Sequence, residues 1–137
     1  MQALRTLGWP HAERRALAGA HDLGDITGCP GIVWEVKGGQ QTRQPSDEQI
    51  ADWMAETEQE RVNARADFGV LVLQRHGIGP SNAHRWWAYL RASAYRQMMA
   101  ARTEGPDFPV RLLLGDACSA LRAAGYGQPL DELAVAR

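Results

Sequence analysis

The apolar positions of this chain change rhythm several times, and each change marks an element. Pro10 can open a helix, and His11-Ala12-Glu13-Arg14-Arg15-Ala16-Leu17-Ala18 are mostly good helix formers that end at Gly19, so a short helix is predicted over about 11–19. Two β-suited stretches follow, about 22–27 and 31–37, flanking Gly28-Cys29-Pro30-Gly31. That Gly/Pro cluster predicts a tight reversal and an antiparallel hairpin. In the second arm a period of two puts Ile32, Trp34 and Val36 on one face, toward the core, and Val33, Glu35 and Lys37 on the other.

A polar, glycine-rich loop over 38–44 leads to Pro45-Ser46-Asp47-Glu48-Gln49, where Ser46 and Gln49 have capping-box spacing and the two acids suit a helix N-terminus. From there to about Ala66, Ile50, Trp53, Met54, Thr57, the stem of Arg61 and Ala64 recur at helical spacing, predicting one long amphipathic helix. Phe68-Gly69-Val70-Leu71-Val72-Leu73-Gln74 is nearly continuously apolar. Such a run fits a strand covered on both faces, parallel to the hairpin's second arm through the helical crossover. A polar turn over 76–82, a strand over 85–91 running into a helix near 92–102, a strand over 110–114 and a helix over 116–124 complete the pattern. The last two read as a peripheral addition, with the core at about 11–91 and residues 92–137 outside it. The class is α/β, one domain over 1–137, without internal repeats.

Composition narrows the functional classes. There is no apolar run of membrane-spanning length and no secretory-type apolar stretch after Met1, so a cytoplasmic protein without a membrane partner is expected. Cys29 and Cys118 are isolated and read as small hydrophobes, since neither a disulfide framework nor a zinc site has this spacing. The net charge of −1 supplies no global field for nucleic acid. Phosphate contacts would have to come from local arginine clusters, such as Arg14 and Arg15 with Arg43, or Arg61 with Arg65.

Cation usage points to chemistry. Lys37 is the only lysine against fourteen arginines. Ammonium is a compact charge that can orient or polarise a water, whereas guanidinium is planar and permanently charged. Closing the turn at 28–31 would bring Asp25 of the first arm beside Glu35 and Lys37 of the second. Two carboxylates make a hard oxygen site for a divalent cation such as Mg²⁺, with the lysine beside the attacking water. A metal there would polarise a phosphoryl oxygen and acidify a bound water, which is the chemistry of phosphodiester hydrolysis.

Gly24-Asp25-Ile26 followed by a turn and Trp34-Glu35-Val36-Lys37 resembles the active-site motif of the PD-(D/E)XK nuclease superfamily. The order helix, β-hairpin, long helix, parallel strand over about 11–75 is similar to its restriction-endonuclease-like core, so the likeness covers about half the chain. Among its members the archaeal and phage-type Holliday-junction resolvases carry a further glutamate on an N-terminal helix, which Glu13 matches here. The resemblance implies that Asp25, Glu35 and the Val36 backbone carbonyl ligate Mg²⁺, with Mn²⁺ able to substitute. It further implies that Lys37 positions the water and that Glu13 supports the metal or its water shell. Gly24 departs from the family pattern, standing where proline precedes the aspartate.

Other candidates are Glu58 and Gln59, which the long helix could carry to the site, and Trp86, Trp87 and Tyr89, which could stack on bases or pack internally. The expected function is a Mg²⁺-dependent endodeoxyribonuclease, catalysed by Glu13, Asp25, Glu35 and Lys37, that acts on branched DNA as a junction resolvase. Symmetric cutting of two strands makes a homodimer the expected assembly. The alternatives are another nuclease on the same fold (nicking, repair, flap or exonuclease) and a non-catalytic DNA-binding module.

Overall fold

The computed structural model describes residues 2–14, 24–102 and 104–130. A four-stranded mixed sheet, ordered β3-β4-β5-β6, organises them: β3 is Ile32–Lys37, β4 Phe68–Leu73, β5 Trp87–Arg91 and β6 Pro109–Leu113. β3 and β4 are parallel, in register from Ile32 opposite Phe68 to Lys37 opposite Leu73, and the remaining pairs are antiparallel. The crossover between β3 and β4 is α2, Asp47–Ala64. Its Ser46 side chain accepts from the Gln49 N–H at 3.1 Å, so the capping-box reading holds on its N-cap half. At its other end Arg65 takes a left-handed conformation, and the Arg65 and Ala66 N–H groups bond back to Val62 and Arg61, satisfying carbonyls that the helix leaves unpaired.

The alternation of β4 divides the core in two. Phe68, Val70 and Val72 join Ile32, Trp34, Ala88 and Leu90 on one face, while Leu71, Leu73 and Tyr89 meet Trp53 of α2 on the other. The first face is covered by α1, Gln2–Thr6, by Trp9 and by α4, Leu114–Ala123. Trp9 meets Trp34 edge to face at 5.6 Å between ring centres. With Trp34 anchored there, the period of two turns Glu35 and Lys37 toward α2, as expected from the sequence.

Three expectations are corrected. The segment read as a helix over 11–19 contains at Glu13–Arg14 a short strand, β1, which pairs antiparallel with β2, Ile26–Thr27; residues 15–23 lie outside the described residues. Helix propensity is a weak prior for so short a segment, and backbone pairing overrides it here. The hairpin is accordingly looser than expected, because β2 pairs with β1 rather than laddering along β3. The Asp25 N–H still donates to the Trp34 carbonyl at 3.0 Å, so the two arms do meet.

The C-terminal segment, finally, is not peripheral. β6 completes the sheet, and α4 buries Leu114, Ala117, Cys118 and Leu121 in the main cluster. Lesser shifts are that β5 begins at Trp87 and that its helix, α3, is Ala92–Met98 and stops before 102. Burial pushes the Cys29 thiol up to about 11 and Cys118 to about 12, so both are inert packing groups, as their isolation in the sequence implied. No helix among the described residues is long and apolar enough to cross a membrane.

Candidate functional site

β3 is an edge strand, and its outer edge holds Asp25. Backbone N–H and C=O of one strand residue point the same way, alternating along the strand. Trp34 sends its carbonyl outward to the Asp25 N–H, and two residues on the Val36 N–H donates outward to Asp25 Oδ2 at 2.8 Å. The Val36 carbonyl therefore leaves by the same open edge, while the Lys37 carbonyl turns inward to accept from the Gln74 N–H at 2.9 Å. Asp25 is fixed beside β3 at the height of Glu35.

Gly24 makes this approach possible. It has φ +93°, and a Cβ there would lie 2.7 Å from Val33 Cγ1. Proline, locked near φ −65°, cannot adopt this conformation, so glycine at this position has a local backbone cause.

Glu35 is buried, and Lys37 Nζ lies 3.4 Å from its Oε1. From α2, Glu56 and Glu60 converge on the same place. Lys37 donates to Glu56 Oε1 at 3.1 Å, and Glu35, Glu56 and Glu60 each offer an oxygen within 4.8 Å of the others. Burial is the main force raising the Glu35 pKa; a contact with the Glu60 carboxyl opposes it, Asp25 and Glu56 add to it, and Lys37 opposes it. For Lys37, burial works against the charged form, but the Glu56 hydrogen bond and the Glu35 charge outweigh it and raise its pKa. Lys37 is thus an ammonium, a donor and a positive charge.

Glu35, Glu56 and Glu60 form an acidic group that could hold a metal ion. The group is all oxygen, hard and anionic, without thiol or imidazole, and the Lys37 ammonium already lies against two of its members. Asp25, held on the outer edge of β3 by the Val36 N–H, is outside that group of three.

Not every residue singled out in the sequence comes to this place. Glu13 is exposed on β1 opposite Thr27 and is outside the three-carboxylate group, and Arg14, also exposed, lies opposite Ile26. Arg43 is exposed on the loop before α2, and Arg15 is outside the described residues. Glu58 binds Arg61 at 2.6 Å and Arg91 at 3.4 Å, and Gln59 donates to Asn63 at 3.0 Å. Trp86 and Tyr89 are buried, with Trp86 Nε1 donating to the Ile78 carbonyl at 2.8 Å, so packing decides their role.

Glu56 and Glu60 are the functional candidates that the sequence reading missed. Their signal was present: the spacing of Trp53, Thr57 and Glu60 places Glu60 on the buried stripe, and Glu56 lies one turn before it.

No protein-family model matches the chain, and no curated protein or solved structure was found to be significantly similar to it.

Proposed function

We propose that this protein is a Mg²⁺-dependent endodeoxyribonuclease of the PD-(D/E)XK kind that cuts branched DNA as a junction resolvase and works as a homodimer. The observation that carries the reading is the nearness of Asp25 and Lys37 to the buried Glu35: the Asp25 carboxylate accepts from the Val36 N–H at 2.8 Å on the outer edge of β3, and Lys37 Nζ lies 3.4 Å from Glu35 on the face toward α2. Bound there, Mg²⁺ would polarise the scissile phosphoryl group and acidify a water. Asp25 and Glu35 supply negative oxygen ligands from two segments tied by the bond from Val36 N–H to Asp25. The Lys37 ammonium orients the water through its N–H groups and offsets charge developing on the phosphate. Glu56 holds that ammonium from the helix side, and Glu60 adds a further carboxylate behind Glu35.

The step from nuclease to resolvase rests on the resemblance of the sequence motif, because one fold serves many DNA structures. The deciding experiment incubates the protein with labelled four-way junction, duplex, nicked, flap and single-stranded DNA, with Mg²⁺ or EDTA, beside Glu35→Gln and Asp25→Asn. Paired symmetric cuts in the junction alone, lost with EDTA and in both variants, are the expected result. Cutting of a different substrate would retain the chemistry and change the role to another nuclease. DNA binding without cleavage under any divalent metal would point to a binding module.

A further inference from the structure

Trp87 is partly exposed at the start of β5 and has guanidinium groups from both flanking strands against it. Arg75 follows β4 and Arg111 lies on β6, each with its Cζ 4.1 Å from the indole ring centre. In the sheet register Lys37 pairs with Leu73, Leu73 with Trp87 and Tyr89 with Arg111, so Lys37, Trp87 and Arg111 share the face that α2 covers. Trp87 is two strands from Lys37, about 10 Å across the sheet.

Two like charges held beside one ring make a local positive site that favours an anion. Among the described residues no carboxylate lies within ion-pair distance of either arginine, in contrast to Arg61 and Arg91, which are both paired. Among the described residues, the protein acceptor engaged is the Arg85 carbonyl, which takes an Arg75 N–H at 2.9 Å. Stacking fixes a guanidinium plane and leaves its N–H edge available, the arrangement that engages phosphate oxygens in a bidentate way.

We infer that Arg75 and Arg111, set by Trp87, form a phosphate-binding site for the DNA substrate. This rests on the nuclease reading for its substrate. It also changes the role of Trp87: the indole is a platform for cations, and the guanidiniums covering it leave little ring for a base to stack on. A chain of net charge −1 would in this way gain a local cationic contact beside an acidic metal site.

The test is binding of fluorescein-labelled junction and duplex DNA, measured by anisotropy over a series of salt concentrations in EDTA, for wild type and Arg75→Ala/Arg111→Ala. Loss of two phosphate contacts should weaken binding about tenfold or more at 0.1 M salt and flatten the logarithmic salt slope by about two. Trp87→Leu, which keeps both charges but frees them, should weaken binding with less change in slope. Melting curves of the same proteins identify any loss due to unfolding, and for a destabilised double variant the single substitutions are read instead, each with a slope change of about one. Unchanged affinity and slope in arginine variants of a wild type that cuts DNA would overturn this site and leave the nuclease reading intact. A wild type that binds DNA in this way without ever cutting it would uphold the site and remove the nuclease.

Discussion

Lys37 shows most directly what single side chains do here. Its Nζ bridges Glu35 on its own strand and Glu56 on α2, at 3.4 and 3.1 Å, a geometry suited to one compact tetrahedral donor. Lys37→Arg keeps the charge but puts a planar fork in its place. It should fold, retain its response to Mg²⁺ and lose about 10²-fold or more in single-turnover cleavage; wild-type rates would show that charge alone suffices. The carboxylates make the complementary case. Lys37 offsets the charge of Glu35 and Glu56, and a divalent cation held by the three carboxylates should raise the melting temperature of the wild type. Glu60→Gln should be more stable than wild type by about 1 kcal/mol without metal, and its stabilisation by Mg²⁺ should be smaller. A Glu60→Gln protein that is less stable in EDTA and equally responsive to Mg²⁺ would contradict that account. Asp25, Glu35 and Lys37 were legible in the sequence because a period of two on one strand and a turn of known length fix their neighbourhood. Glu56 and Glu60 were missed although Glu60 shares the buried stripe of Trp53 and Thr57, because the stripe alone does not say that it meets Glu35. The docking of α2 depends on Gly69, where a Cβ would stand 3.1 Å from Thr57 Cγ2.

Elements are held to one another here by polar as well as apolar contacts. Arg91 at the end of β5 reaches Glu58 on α2 at 3.4 Å and Asp107 at 2.8 Å, and Asp107 in turn accepts from the Ser93 N–H and hydroxyl at the first turn of α3. The Arg61 hydrogen bond is the main cause that holds the Glu58 pKa below its ordinary 4.5, with burial opposing and Arg91 assisting. A carboxyl whose folded pKa is depressed contributes stability above its unfolded pKa and loses it as pH falls through the folded value. Glu58 therefore contributes in full above about pH 4.5 and fades below it. Glu58→Gln should cost about 0.5–1 kcal/mol at neutral pH, and the difference from wild type should vanish as urea midpoints are followed into acid; a difference constant with pH would refute the assignment. The sequence revealed α2, β3, β4 and the β5–α3 and β6–α4 pairs closely because each has a clear period and a cap, turn or boundary. It misled over 11–14, where good helix formers are recruited as β1. The approach of Gly28 to that segment, whose added Cβ would fall 2.0 Å from the His11 carbonyl oxygen, belongs to tertiary structure alone. It also left α4 outside the core, because Leu114, Ala117, Cys118 and Leu121 give the helix an apolar face without saying which face of the sheet receives it.

At the scale of the whole molecule, the proposed site lies on one edge of one sheet and can address one phosphodiester at a time. Cutting two strands of a junction symmetrically needs two such sites related by a twofold axis, and the proposed homodimer supplies them. If each site acts with its own Asp25, Glu35 and Lys37, a dimer with one wild-type and one Glu35→Gln subunit retains one working centre. Mixed dimers, made by co-expressing differently tagged chains and purified over both tags, should nick a four-way junction in one strand and release few paired products. The wild-type dimer should yield paired products, and the doubly substituted dimer none. With the junction held in a supercoiled plasmid, the two cases separate cleanly, because a single nick gives open circles and paired cuts give linear DNA. Linear product from the mixed dimer at the wild-type rate would mean that one centre cuts both strands in turn, and the need for a dimer would disappear. Monomers by light scattering that still make paired cuts would lead to the same conclusion by an independent route. Mixed dimers unable to nick at all would instead mean that a centre works only when its partner's centre is intact, so that the two are coupled across the dimer.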